Sequence, residues 1–165
     1  GVPTITLELA TKDRVGDDSY RLSYLLRLPL EASRTILSVE ALDHPFQYAL
    51  EILGEDGPQL RTVDLVETFN FLYGLHVERM ESWANEKDKR KYRVVKGRNR
   101  DKRRVLVLWR DMTGLDPAEE RRFLEARLKA ESTAFDEMLI NGNCAVPGIE
   151  SLDPAFKRLM EEPER

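Results

Sequence analysis

Residues Val105 to Trp109 form an unbroken apolar run, Val-Leu-Val-Leu-Trp, with an arginine on each side. A strand with one solvated face alternates apolar and polar residues, whereas a strand covered on both faces is apolar throughout. The run therefore predicts a central strand with helices packed on its sheet. At 165 residues, the chain is long enough for one such core.

Two strand-like runs precede this strand, His76 to Trp83 and Tyr92 to Lys96, and the third run extends from Arg103 to Arg110. The connection at residues 97–102 contains a glycine and an asparagine, which suit a hairpin turn. The pattern predicts an antiparallel meander whose second turn is a basic tip.

A helix and a strand follow the meander. Asp116 is placed to cap a helix and Pro117 to occupy its first position. The apolar residues of its inner face are Phe123, Leu124 and Leu128. The run Glu137 to Asn141 then predicts a strand, and a strand, helix and strand of these lengths form a βαβ unit with parallel strands. Asp153 predicts the cap of a final short helix, and residues 160–165 are expected to fray.

The N-terminal half is also patterned. Alternation from Ile5 to Leu9 predicts a strand, and Tyr20 to Leu30 reads as an amphipathic helix. Alternation from Phe46 to Ile52 predicts a second strand, followed by a tight loop at 54–58. A helix capped by Thr62 and ended by Gly74 comes next. Its predicted apolar stripe is Leu65, Val66, Phe69, Leu72 and Tyr73.

We therefore expect a single α/β (α+β) domain over residues 1–165. Its mixed sheet combines an antiparallel meander with a βαβ unit, and helices pack on the sheet. Residues 1–19 are expected to be an arm carried over from a longer chain. No stretch approaches the roughly 18 apolar residues of a membrane span, which predicts a cytoplasmic protein with no membrane partner.

The motifs of several enzyme classes are missing from the sequence. It has no Gly-rich methyl-donor loop with a Pro-Pro-aromatic tetrapeptide, no phosphate-binding Walker loop, and no Glu-x-Lys of a metal-dependent nuclease. Cys144 is the single cysteine, and only His44 and His76 could serve as a base or as imidazole ligands. We expect no catalytic residues, no bound cofactor and no metal site in this chain.

Positive charge is concentrated between residues 86 and 104, where eleven Lys and Arg face three acids. This segment carries +8, so the remaining residues must carry −12 to give the net −4. Such a density of cations suits contacts with nucleic-acid phosphates, and Tyr92 and Trp83 could stack on bases or simply support the sheet. The alternative is a solvated hairpin whose cations pair with acidic helices. The candidate DNA-binding residues are Lys89, Arg90, Lys91, Lys96, Arg98, Arg100, Lys102, Arg103 and Arg104.

Three strings carry a resemblance to a known family: TVDLVETFNFLYGL at 62–75, YRVVKGR at 92–98, and RVLVLWRD at 104–111. In order and spacing they resemble the region that follows the catalytic domain in type III (Mod) adenine-specific DNA methyltransferases. The resemblance spans most of residues 20–142. It implies a bacterial or archaeal parent enzyme that transfers a methyl group from S-adenosylmethionine to adenine N6 within a specific DNA site. It also implies that this chain is the non-catalytic C-terminal domain, contacting the catalytic domain in cis.

Two functional hypotheses follow. The first is a binding module that grips DNA phosphates through the basic hairpin of this restriction–modification enzyme. The second is an assembly module, in which apolar surfaces of the Val63 to Leu75 helix or the Val105 to Trp109 strand hold a methylase homodimer together or receive a restriction-translocase subunit.

Overall fold

The computed structural model of the chain describes residues 6–8, 42–47, 49–54, 57–62 and 64–161. Within them, a three-stranded sheet contains β1 (Thr6–Glu8), β2 (Ala49–Gly54) and β3 (Gly57–Thr62). A five-stranded sheet contains β4 (His76–Ala84), β5 (Lys91–Arg98), β6 (Arg104–Trp109), β7 (Glu137–Ile140) and β8 (Ile149–Ser151). The helices are α1 (Leu65–Tyr73), α2 (Pro117–Lys129) and α3 (Asp153–Glu161).

The five-stranded sheet has the order β4-β5-β6-β7-β8. Strands β4, β5 and β6 pair antiparallel, whereas β7 pairs parallel to both β6 and β8. Helix α2 connects β6 to β7. The structure thus confirms the mixed α+β architecture, with an antiparallel meander followed by a βαβ unit.

Strand β6 is the centre of the core, and all of its residues from Val105 to Trp109 are fully buried. Successive side chains of a strand point to opposite faces, so the strand supplies two cores. Val105, Val107 and Trp109 join a cluster with Phe69 of α1 and Phe156 of α3. The other two, Leu106 and Leu108, join a second cluster with Phe123 and Leu124 of α2. The prediction that this strand is covered on both faces is confirmed.

The N-cap of helix α1 lies two residues later than the predicted cap. Thr62 pairs with Ala49 as the last residue of β3, so it cannot cap the helix. Asp64 caps it instead, and its carboxylate accepts a hydrogen bond from the Glu67 backbone N–H at 3.0 Å. The predicted end is confirmed, because Gly74 is the C-cap with a left-handed φ of 72°.

The segment before α1 also differs in part from its prediction. Phe46 lies in a turn and is 36% exposed, and strand β2 starts only at Ala49. The loop predicted at 54–58 is shorter, because Gly54 already pairs with Gly57 and Pro58 belongs to β3. Gly57 has a φ of 95°, a conformation that side-chain-bearing residues rarely adopt.

The C-terminal elements follow the sequence signals closely. Asp116 caps α2, accepting from the Ala118 N–H at 3.1 Å, with Pro117 in the first turn. Asp153 does not cap α3; it is the first helical residue, and its carboxylate accepts from the Gly142 N–H at 3.1 Å. Strand β8 was not predicted, because three residues are too few to show a period of two.

Three predictions lie wholly or partly outside the described residues. These are the helix over Tyr20 to Leu30, most of the arm at 1–19, and the frayed end at 162–165. Of the predicted frayed residues, Met160 is a buried residue of α3. Of the helices in the described part of the chain, none has the length and apolarity that a bilayer span requires.

Candidate nucleic-acid interface

The turn between β5 and β6, residues 99–103, is held by hydrogen bonds centred on Asn99; we call it the tip turn. The Asn99 N–H donates to the Arg103 carbonyl at 3.0 Å, and the Lys102 N–H donates to the Asn99 carbonyl at 2.9 Å. The Asn99 side-chain oxygen accepts from the N–H groups of Asp101 and Arg103. Lys102 completes the reversal in the left-handed region, with a φ of 63°. The backbone is thus fixed locally, and its side chains point outward from a defined scaffold.

Three basic side chains, the tip cations, project from this turn: Arg100, Lys102 and Arg103. All three are exposed, and none is paired with a carboxylate among the residues that the structure describes. The Arg100 side chain passes over the C-cap of α1, where a Cβ atom on Gly74 would lie 2.1 Å from the Arg100 Nε. Gly74 therefore provides both the helix end and the space for this arginine.

The base of the tip turn is more balanced in charge. Arg98 lies 3.4 Å from the Glu78 carboxylate and also donates to the Lys102 carbonyl. Arg104 is half-buried, and its backbone N–H donates to the Asp136 carboxylate at 2.9 Å. Unpaired positive charge at this end of the sheet is therefore carried by the tip cations and by the Arg104 guanidinium, which has no carboxylate partner among the described residues.

A second pair of groups lies at the same end of the sheet. The Tyr73 hydroxyl donates to the Glu137 carboxylate at 2.5 Å. Burial, together with this hydrogen bond to a negative partner, raises the pKa of Tyr73 above its ordinary value. The Glu137 carboxylate is thus engaged by α1 and does not pair with a tip cation.

The turn between β4 and β5, residues 85–90, has its cations paired; we call it the opposite turn. Lys87 lies 3.4 Å from Glu119, and Lys89 lies 3.7 Å from Glu86. The side chain of Arg90 is 11% exposed, lies 3.6 Å from the Asp88 carboxylate, and donates to two backbone carbonyls of the loop after β6. Lys91, the first residue of β5, is exposed.

Between the two turns, Lys96 lies on the α2 side of β5 and is engaged by two carboxylates. Its amine lies 3.0 Å from Glu81 and 2.8 Å from Glu131, with the side chain 15% exposed. Burial favours the neutral amine, yet the hydrogen bonds to both carboxylates dominate and raise the pKa of Lys96. This lysine stabilises the contact between β5 and α2 and is not available to a ligand.

The nine predicted DNA-binding residues are therefore divided between separate places. Strand β5 has eight residues, and at about 3.3 Å per residue its two ends are roughly 23 Å apart. Lys89, Arg90 and Lys91 lie at one end, and Lys96 lies between. The structure brings the remaining five together at the other end: Arg98, Arg100, Lys102, Arg103 and Arg104. The expectation of a single basic ribbon over 86–104 is wrong, because the two turns of a meander point in opposite directions.

The two aromatic residues proposed to stack on bases are buried. Trp83 is 2% exposed beneath the Arg127 guanidinium, which lies 4.6 Å from the ring centroid. Tyr92 is fully buried and stacks on Phe123. Both support the sheet, so neither is available as a stacking platform.

A buried polar network at the carboxyl ends of β6 and β7 was not predicted. Arg110 is fully buried, and its guanidinium makes a two-point contact with Glu120 at 2.8 and 3.0 Å. Tyr92 donates to the same carboxylate at 2.7 Å. The Asn141 side chain accepts from the Arg110 backbone N–H and donates to the carbonyls of Arg110 and Leu42. The sequence signal was an arginine directly after a strand buried on both faces.

This network occupies the place where open α/β sheets commonly bind ligands. The Arg110 guanidinium also donates to the backbone carbonyls of Asn141 and Asn143, so the loop after β7 closes around it. The chain's own groups thereby take up the Arg110 guanidinium and the Glu120 carboxylate, whereas the buried Nε1 of the preceding Trp109 has no hydrogen-bond partner among the described residues.

Away from this network, the Nδ1 atom of His44 lies near both the Asp111 carboxylate and the Thr113 hydroxyl. His44 lies 3.2 Å from Asp111, but no cluster of three or more metal-ligating side chains occurs within the described ranges. Cys144 is half-buried, and burial raises the pKa of its thiol, which disfavours the nucleophilic thiolate.

The two surfaces proposed for assembly are largely internal. The strand Val105 to Trp109 is fully buried, and Leu65, Val66, Phe69 and Leu72 of α1 face the core. An interface could use neither the strand nor the inward face of α1 without separating the sheet from its helices. The outward face of α1, where Phe71 is 52% exposed, is not excluded, so the assembly hypothesis stays a prediction.

Comparisons with family models, with curated proteins and with solved structures gave no match for this chain.

Proposed function

We propose that this domain binds DNA phosphates through the tip cations, as the non-catalytic C-terminal domain of an S-adenosylmethionine-dependent adenine-N6 DNA methyltransferase of a restriction–modification system. The observation that carries the proposal is the set of three exposed cations, unpaired among described residues, on a turn with a fixed backbone. The methyl donor would belong to the catalytic domain in cis, since the resemblance gives this chain none of the donor-binding motifs.

The chemistry of the turn suits backbone contacts. Lys and Arg neutralise phosphates and release condensed counterions, which gives affinity without sequence information. Because Asn99 already orders the turn, little backbone entropy would be lost on binding. Three contacts correspond to weak binding, in the range of roughly 10⁻⁴ to 10⁻⁶ M that is usual for non-specific complexes. A weak and sequence-independent grip suits a domain that steadies the duplex while another domain acts on a base.

The test compares two variants with equal changes in charge. The tip variant carries Arg100→Glu, Lys102→Glu and Arg103→Glu, and the control carries Lys87→Glu, Lys89→Glu and Lys91→Glu at the opposite end of β5. Fluorescence anisotropy with a labelled duplex at 0.1 M salt gives the dissociation constants. We expect the tip variant to lose binding. The control should change affinity by less than about threefold, because its charges lie farther away than the screening length of about 10 Å.

Equal losses in both variants would show that binding follows net charge and not the tip. Absence of wild-type binding at low salt would overturn the proposal entirely. Circular dichroism establishes that each variant is folded before its affinity is interpreted. Assembly with a second copy or a restriction subunit, the alternative function, would have to use a surface other than strand β6 and the inward face of α1.

A further inference from the structure

Helix α1 carries one large aromatic side chain on its outer surface. Phe71 is 52% exposed, whereas its neighbours Phe69 and Leu72 are buried in the core. The inward residues follow the helical period, so Phe71 contributes little to packing against the sheet. An exposed aromatic ring of this kind is available to a ligand.

Phe71 lies on the last turn of the helix whose C-cap the tip turn contacts. It precedes Gly74 by three residues, and residues so spaced on a helix lie on neighbouring parts of its surface. The Arg100 side chain passes directly over Gly74. Phe71 and Arg100 therefore both lie at the C-terminal end of α1.

The duplex and the single strand differ in what they offer such a surface. Both present phosphates to the tip cations, but a duplex hides the faces of its bases within the stack. An unpaired base has an open face, and stacking on an aromatic side chain contributes about 1–3 kcal/mol per base. Trp83 and Tyr92 are buried. The half-buried Tyr73 ring stacks on Phe69, and its hydroxyl is bound to Glu137. Phe71 is therefore the exposed aromatic side chain near the tip among the described residues.

We infer that the tip also accepts unpaired DNA, with Phe71 stacking on one base while Arg100 and its neighbours hold the flanking phosphates. The inference rests on the proposed function, because it uses the same tip cations. It adds a ligand class, a single-stranded or locally opened segment, and a residue that distinguishes this class from a closed duplex.

The experiment measures the affinity of the full chain for a single-stranded 12-mer of thymidine and for a 12-base-pair duplex. Phe71→Ala is compared with Met80→Ala, because Met80 on β4 is equally exposed at 52%. We expect Phe71→Ala to weaken single-strand binding by roughly 5- to 150-fold and to leave duplex binding unchanged. Met80→Ala should alter neither affinity, and Phe71→Trp should restore single-strand binding, with its indole fluorescence quenched on addition of the 12-mer.

The outcomes separate the two proposals. If Phe71→Ala leaves single-strand affinity unchanged, or weakens both ligands equally, stacking is overturned while tip binding stands. If the role of Phe71 is instead to contact another protein domain, the isolated chain would show no preference for the single strand. Stacking would then also be overturned, and tip binding would stand. If the tip variant binds both ligands as the wild type does, the proposed function fails.

Discussion

The two turns of the meander share one construction but differ in their ionic surroundings. Each starts at an asparagine, Asn85 or Asn99, whose side-chain oxygen accepts the N–H of the residue two positions later. Each ends with a lysine in the left-handed conformation, Lys89 at φ 64° and Lys102 at φ 63°. In the opposite turn, however, the Asn85 side chain donates to Glu119 of α2. No comparable acidic helix residue contacts the tip turn among the described residues.

The difference shows that a count of basic residues does not tell which of their cations are paired in the folded chain. Helix α2 packs across β5 and brings Glu119 to the opposite turn, while the loop after β6 supplies carbonyl acceptors to Arg90. Arg90 is therefore part of the fold, and the exposed Lys87 and Lys89 each lie within 4 Å of a carboxylate. At the tip, Arg100, Lys102 and Arg103 extend past the elements that could neutralise them, so they remain available to a polyanion.

The largest effect on stability is expected at Arg110, which directly precedes the loop that Arg90 contacts. Arg110→Met leaves the Glu120 carboxylate buried without its partner. We expect the free energy of unfolding to fall by about 3–5 kcal/mol, measured by urea denaturation. Adding Glu120→Leu should recover much of this loss. Arg103→Met at the tip should change stability by no more than about 0.5 kcal/mol. An unchanged free energy of unfolding in the Arg110→Met variant would contradict the stabilising role of the network.

The second largest effect on stability is expected for a substitution of Arg90. Its guanidinium donates to the carbonyls of Asp111 and Thr113, and Arg90→Met leaves these acceptors without their donors. We expect a loss of about 1–3 kcal/mol in chemical denaturation. The neighbouring exposed Lys89→Met serves as the control and should change stability by less than about 0.5 kcal/mol. Equal effects would mean that Arg90 is merely a surface cation.

Titration of Glu119 tests the hydrogen bonds that its carboxylate accepts from Arg122 of the same helix and from Asn85 of the opposite turn. Hydrogen bonds from Arg122 and then Asn85 lower its pKa from 4.5 to about 2. A depressed pKa means that the interaction stabilises the fold fully above pH 4.5 and is lost as the pH falls through about 2. Carboxyl NMR should report this pKa directly, and Arg122→Gln should raise it towards 4.5. An unshifted Glu119 in the wild type would refute the pairing.

The smallest effect on stability is expected for the two lysines whose backbone is in the left-handed conformation, Lys89 and Lys102. Lys89→Gly and Lys102→Gly each relieve a cost of about 1–2 kcal/mol in this conformation, partly offset by the entropy of glycine. Both should therefore shift stability alike and by less than about 1 kcal/mol. DNA affinity should fall only for Lys102→Gly, measured by anisotropy. Equal affinities of the two variants would remove Lys102 from the interface.

The sequence predicts much of the fold because its signals are local. The apolar run at 105–109, the cap at Asp116 and the helix end at Gly74 each depend on a few adjacent residues. The cap at Asp64 was missed, since Thr62 offers the same chemistry and only strand pairing decides between them. Whether each cation is paired depends on contacts between residues that are distant in the sequence, such as Lys87 with Glu119. Composition carries no information about these contacts.

The salt dependence of duplex binding tests the central claim most directly. If the three tip cations supply the phosphate contacts, log Kd should rise with log salt concentration with a slope of about 3 between 50 and 200 mM, since each contact contributes about 0.9. Removing Lys102 as a cation should reduce that slope by about one. A slope near zero, or one near 8 that reflects all nine candidate DNA-binding residues, would contradict binding by the tip cations.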